Sequence, residues 1–456
     1  MAKLRRLYMS VKDFPETQPA KISHLRSAIF GSGSIGVAAC VVTPQLLLLY
    51  YLTEILAIPA AWAGLAVLIP KLWEFFFDPT VGNYSDRIIT RWGRRVPFLL
   101  IGALLFIPCF ALLFSTPRVS DWRISLAIVT LSYALCTSAY SVYAVPFITL
   151  PGEVSDDPAE RTRVIAWRIA FVGVGILVAG GLAPKFVQWG GGGRAGYMMM
   201  GIALSFICGI TMFSAAVAAK GFPKLPAPPP PAEFIHPIRR LLSTRAYRWL
   251  WISYNLQMVA IAGNSATLPF VIKYVLHQPD SAVAIIFVII TAANLLSIPI
   301  WVRLRHHRGS IPTYRLATIL CIFGSASLYI AITGNFHYAL LSAAFYGIGQ
   351  AGQQLLPLAL LPDSSRAEGK IAGTYHAGLF TGIWVAGEKL GLALGSAFTG
   401  FLLGTAGYIS GGGTQTAAAL AAIPVISALV PAAIFVVSLI PLRILSKTAP
   451  GLGDHA

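Results

Sequence analysis

Apolar runs of about 20 residues recur twelve times along this chain, and each is the length an α-helix needs to cross a bilayer. They begin near Ser27, Ala60, Val96, Trp122, Val164, Tyr197, Tyr247, Ser281, Tyr314, Phe336, Gly373 and Thr416. Composition agrees: 56% of the 456 residues are hydrophobic and 11% charged, whereas a soluble domain carries about 25% charged residues. The reading is an all-α polytopic membrane protein.

An even number of spans puts both termini on one side, and the basic residues say which. One set of loops and tails holds clusters such as Arg87, Arg91, Arg94 and Arg95, then Arg161 and Arg163, then Arg303, Arg305 and Arg308. The opposite loops hold only Arg118, Arg123, Lys185, Arg194 and Lys273. By the positive-inside rule both termini are expected in the cytoplasm, in an inner (plasma) membrane. The formal charge of +17 is then explained by loop clusters at helix ends, and nucleic-acid binding is not expected. No cleavable signal peptide is expected, because the first apolar run is too long and lacks a small-residue cleavage site. All five cysteines, Cys40, Cys109, Cys136, Cys208 and Cys321, fall inside apolar runs at unrelated spacings. They read as packing residues and not as a disulfide framework or metal cluster.

A proline-rich tract from Gly221 to Ala232 divides the chain six spans from six, and such a tract is extended and stiff. The expected organisation is a cytoplasmic segment 1–26, a six-helix bundle 27–219, a linker 220–246, a second six-helix bundle 247–445 and a tail 446–456. Two bundles rocking about a midplane site is the arrangement of alternating access. Gly387, Gly391 and Gly395 form a small-residue stripe for close helix packing.

Charges inside such runs carry the functional signal. In Pro70-Lys71-Leu72-Trp73-Glu74-Phe75-Phe76-Phe77-Asp78-Pro79, Lys71, Glu74 and Asp78 share one helix face. An aspartate at the centre of a membrane helix costs roughly 2.5–3.5 kcal/mol on insertion scales, so two acids on one face need a purpose or a partner. Two neighbouring carboxylates can hold a hard cation or share a proton. The plainer reading is that Lys71 neutralises Glu74 and Asp78 alone lies deep. Gln45, Asn264, Asn294, Gln350, Gln353 and Gln354 are further polar groups inside apolar runs, each a solute contact or a helix–helix hydrogen bond.

Several segments taken together resemble a known family. They are Glu74-x-x-x-Asp78-Pro79, the basic loop after it, Tyr140-Ser141-Val142-Tyr143-Ala144-Val145-Pro146-Phe147, and Gly387-Glu388-Lys389-Leu390-Gly391-Leu392-Ala393-Leu394-Gly395. They are similar to the melibiose permease-like glycoside–pentoside–hexuronide:cation symporters of the major facilitator superfamily, over about Leu25 to Leu445. The resemblance implies a major facilitator fold and proton- or sodium-coupled uptake of a sugar, glycoside or uronate. It places Glu74 and Asp78 at the cation site, which is a metal site only if the ion is sodium or lithium, with Ser141 nearby and Lys389 linking the cation and sugar sites. It assigns Tyr140, Arg168 and Lys389 to the solute. Trp384, five residues before Lys389, is added as an aromatic platform and Gln354 as a polar contact. Departures also stand out: Phe77 replaces a polar asparagine, which tilts the ion toward a proton, and Ala38 and Ala144 replace the family's sugar-binding acids. With those acids gone, Arg168 and Lys389 leave a positive lining that suits a carboxylated sugar.

Asp86, Arg91, Arg94 and Arg95 form a candidate conformational latch, with topology determination as the alternative. No nucleotide fingerprint, metal cluster or nucleophile elbow occurs in the sequence, so no enzyme and no cofactor beyond the coupling ion is expected. The expected partners are a small solute and the lipid bilayer, for a monomer. Movement of lipid-like amphipaths on the same fold, and a membrane sensor that transports nothing, are the two competing functions.

Overall fold

The computed structural model describes residues 22–88, 90, 92–155, 157–222, 245–330, 335–372 and 377–448, with side chains for all of these except 158 and 362–381. The Pro-rich tract and most of both tails therefore lie outside the described residues. Twelve long helices follow one another: α1 His24–Ile55, α2 Ala60–Arg87, α3 Val96–Leu113, α4 Trp122–Glu153, α5 Ala159–Trp189, α6 Gly193–Ala219, α7 Arg245–Val275, α8 Ala282–Arg308 and α9 Ser310–Ile330, then α10 Phe336–Ala372 and α11 Ala377–Thr405, and α12 Ala417–Thr448. Ten of them, counted over the described residues, are long and apolar enough to cross a bilayer, and α10 and α11 complete the twelve. Their starts are set by local chemistry. Ser23, Asp121, Asp157 and Thr416 each accept a backbone N–H of the first turn through a side-chain oxygen, supplying partners that a helix end otherwise lacks.

The two halves repeat one packing plan. In the first, α1 packs on α5 and α6, α3 on α4 and α6, and α2 on α4; in the second, α7 packs on α11 and α12, α9 on α10 and α12, and α8 on α10. The repeat extends to detail. Helices α1 and α7 both end in a π-helical turn, Tyr51–Ile55 and Val271–Val275, each followed by a residue in the left-handed region, Ala57 and His277. Corresponding helices in parallel repeats of this kind flank a central site.

Small residues bring the helices close. The Gly387, Gly391 and Gly395 stripe faces α7, and a Cβ on Gly395 would lie 2.3 Å from the Val259 carbonyl oxygen. Between the halves, α2 meets α11 at Gly64 and Gly400; a Cβ on Gly64 would come within 2.7 Å of the Ala397 oxygen and one on Gly400 within 2.6 Å of the Ala60 oxygen. The repeat-related seam, α5 against α8, is different: it closes at the Gly180–Phe287 contact beside the π-turn of α5 and parts toward the chain termini.

Burial follows the same polarity. On the face away from the termini one apolar core runs through both halves, from Leu46 to Tyr51 in α1 to Phe270 to Ile272 in α7. On the terminal side the second half keeps a core of its own around Tyr247, Trp301 and Tyr314. The bundles are joined at the face opposite the termini.

Candidate cation and solute sites

Glu74 lies on α2 with its side chain fully buried, and Lys71, one turn earlier, reaches it at 2.7 Å. From the other bundle, Lys389 on α11 places Nζ 2.6 Å from Glu74 Oε1 and 2.5 Å from Asp78 Oδ2. Two ammonium groups thus face two carboxylates in a largely buried seam, which is how buried charge is tolerated. Both lysines also lie over the Tyr140 ring, with Lys389 at 5.4 Å and Lys71 at 5.8 Å from its centroid, a cation–π geometry. Asp78 Oδ1 and Ser141 Oγ are buried with no hydrogen-bond partner, so oxygen lone pairs remain unused here. Phe77 stacks on Trp73 with centroids 5.5 Å apart and offers no ligand.

A cavity of about 410 Å³ lies between the bundles, walled by α1 and α5 on one side and α7 to α11 on the other. Its polar lining includes Gln45, Asn264, Asn294, Gln350, Gln354 and Glu388, amid a larger apolar surface. Gln353 is instead buried away from it with both amide atoms unpartnered. The lining includes Ile169 on α5 and Leu295 on α8, which are 67% and 46% exposed, so the cavity opens along the parted seam.

Of the residues assigned to solute, Gln354 lines this cavity and the others do not. Arg168 stacks on Phe147 at 4.6 Å and donates to the Ile148 carbonyl oxygen at 3.4 Å. Lys389 and Tyr140 belong to the carboxylate cluster. Trp384 is 1% exposed and stacks at 4.4 Å against Tyr254, and it is Tyr254 that borders the cavity. The expected positive lining is not found among the described residues: no Lys, Arg or His of these borders the cavity, and the one acid that does is Glu388.

At the terminal face, Arg95 donates to Glu153 Oε1 at 2.7 Å and to Ser85 Oγ at 2.5 Å, and pairs with Asp86 at 2.5 Å, while Arg94 reaches Glu153 at 3.1 Å. Arg91 lies outside the described residues. The cluster ties the end of α2 to the end of α4 within one bundle. Glu153 receives both Arg94 and Arg95.

At the opposite face a second cluster crosses the bundles. Glu54, in the π-turn of α1, is buried against Lys273, accepts a hydrogen bond from Tyr274 at 2.8 Å, and accepts another from Tyr408. Nearby, the Gly411 N–H donates to the Thr53 carbonyl oxygen at 2.9 Å. A lone acid in an apolar run was the available sequence signal for Glu54; its partners, more than 200 residues away, carried none.

Two pseudo-repeated bundles around a central cavity, with charge pairs across the seam, define a secondary transporter and not an enzyme. The chain belongs to the MFS/sugar transport protein family, whose pattern matches residues 29–447. It is 27% identical over 405 residues to the putative glycoside/cation symporter YagG of Escherichia coli, covering 85% of this chain and 84% of that one. It is 24% identical over 404 residues to the inner membrane symporter YicJ of the same organism, covering 87% and 86%. The crystal structure of D-xylose-proton symporter shares the fold, with a TM-score of 0.68 at 13% identity over 96% of this chain and all of that one. The protein is a multi-pass membrane transporter of the major facilitator superfamily.

Proposed function

We propose that the protein is a cation-coupled symporter that imports a sugar, glycoside or uronate by alternating access, in an inner membrane with both termini cytoplasmic. The observation that carries this is the position of Lys389: an ammonium from one bundle occupies the space between two carboxylates of the other. A coupling cation or proton arriving at Glu74 and Asp78 competes with that ammonium. Binding therefore loosens the α2–α11 seam, which links occupancy to bundle movement. Sodium or lithium would be held by Glu74, Asp78 and the unused Ser141 hydroxyl, a small oxygen set. A proton needs no coordination sphere and is favoured by Phe77. The terminal-face cluster of Asp86, Arg94, Arg95 and Glu153 would act as the latch that keeps α2 and α4 moving as one body.

The test is uphill uptake in proteoliposomes. Asp78→Asn is expected to abolish accumulation while leaving solute exchange, and full concentrative uptake by this variant rejects the coupling role. For a proton, uptake alkalinises the outside and collapses with an uncoupler without a sodium requirement. A second reading, movement of a lipid-like amphipath, draws on the apolar cavity with the exposed Ile169 and Leu295 at its opening. Flux of a labelled lysolipid in preference to any sugar would establish it.

A further inference from the structure

We infer that the solute is an uncharged, hydroxyl-rich molecule whose hydroxyls are read by Glu388 and the amides of the second bundle, and that uronates are excluded. This rests on the sugar-symport reading above and narrows it.

Adjacent residues on a helix point about 100° apart. In α11 this separates two tasks: Lys389 reaches across the seam to Glu74 and Asp78, while Glu388 borders the cavity beside Tyr254. The Gly387 and Gly391 contacts press α11 onto Trp251, Asn255 and Met258 of α7, which fixes the rotation that divides the pair. A carboxyl group accepts several hydroxyl protons at once. Among the described residues the first bundle brings no carboxyl to the cavity, and Ala38 and Ala144 are small buried residues.

The rest of the lining fits the same ligand. Asn264 Nδ2 and Tyr346 Oη are neighbours on the cavity wall, and neither has a well-formed hydrogen bond to a third group, whereas buried polar atoms of this kind ordinarily have one. A donor amide, a phenol and an acceptor carboxyl on one wall complement alternating hydroxyls. A solute carboxylate meets the opposite situation. Among the described residues no cationic side chain borders the cavity, the Lys389 ammonium is engaged by two carboxylates, and Arg168 is held over Phe147. An anion buried there stays uncompensated.

The experiment is a binding and uptake panel on the purified full chain. Methyl β-glucoside, methyl β-xyloside and cellobiose serve as neutral probes, and glucuronate and methyl glucuronide as anionic ones. At least one neutral probe is expected to stabilise the protein against heat and to be accumulated, with its uronate counterpart at least roughly tenfold weaker. Glu388→Gln is expected to weaken the neutral probe roughly tenfold while the Asp78-dependent coupling persists, and Asn264→Ala to weaken it less. Should Glu388→Gln misfold, deoxy analogues of the best neutral probe report the same contacts on the native chain. Uronates binding as well as neutral sugars overturn the inference and leave sugar symport standing. Affinity unchanged both in Glu388→Gln and across the deoxy series overturns the role of Glu388. Transport of a lysolipid with no sugar bound at all overturns the sugar reading itself.

Discussion

Lys389 has two carboxylates and the carboxylates have unequal reserves, so its removal and theirs should differ in a calculable way. Glu74 keeps Lys71 at 2.7 Å when Lys389 is lost. Asp78 keeps nothing: Oδ2 is paired to Lys389 alone among the described residues, and Oδ1 has no partner. Breaking a buried ion pair from one side costs about 3–5 kcal/mol, because the abandoned charge remains in a poor solvent. The Asp78 and Lys389 side chains retain 21% and 18% exposure, so water reaches the pair and Lys389→Ala is expected to cost about 2–4 kcal/mol. Asp78→Asn is milder, since Lys389 still has Glu74 at 2.6 Å; the loss is one charge-assisted hydrogen bond, about 1.5 kcal/mol. The double variant Lys389→Ala with Asp78→Asn should recover part of the first loss, giving a coupling energy of about 1–3 kcal/mol. Denaturant or thermal unfolding in one detergent, with all four proteins, measures it. If Asp78→Asn destabilises as much as Lys389→Ala, or the two losses simply add, the asymmetric-reserve argument is wrong.

The cluster on the face opposite the termini gives a conformational prediction: Glu54→Gln removes the charge that Lys273 pairs with and should shift the bundles toward opening on that face. A Cβ on Gly411 would lie 3.2 Å from that of Ala57, near the disulfide range of about 3.5–4.5 Å, so the Ala57→Cys, Gly411→Cys pair should cross-link readily, and more slowly with Glu54→Gln. Equal cross-linking rates would remove Glu54 from the closure. In α11, Gly395→Ala places a methyl against the Val259 carbonyl and should cost about 1–3 kcal/mol, whereas Gly382→Ala meets nothing within 4 Å and should be neutral or stabilising by up to about 1 kcal/mol. Thermal unfolding ranks the two, and a reversed order contradicts the packing described for the α7–α11 face.

The latitude of the sequence is plainest on either side of one peptide bond. Apolar runs of membrane-spanning length dictate helices because backbone groups in hydrocarbon have no other partner, so the number of spans and the division into two sixes were legible without any contact being known. Spacing likewise put Lys71, Glu74 and Asp78 on one face, since helical periodicity is local. What periodicity lacks is the partner across a seam. Composition and periodicity do not separate Glu388 from Lys389, and the resemblance spoke for Lys389 alone, yet the rotation of α11 against α7 sends one to the cavity and the other to the carboxylates. The family resemblance assigned Arg168 to the solute and residue type added Trp384, but neither could show that they pack against Phe147 and Tyr254. Glu54 was visible as an acid in an apolar run, but Lys273, Tyr274 and Tyr408 come from helices whose placement depends on how the bundles meet. Sequence by itself determined the helices and the faces they present, because those follow from neighbours along the chain. Tertiary structure alone decided which charges pair and which polar groups remain for a ligand, because helix rotation and seam closure are set by packing between residues hundreds of positions apart.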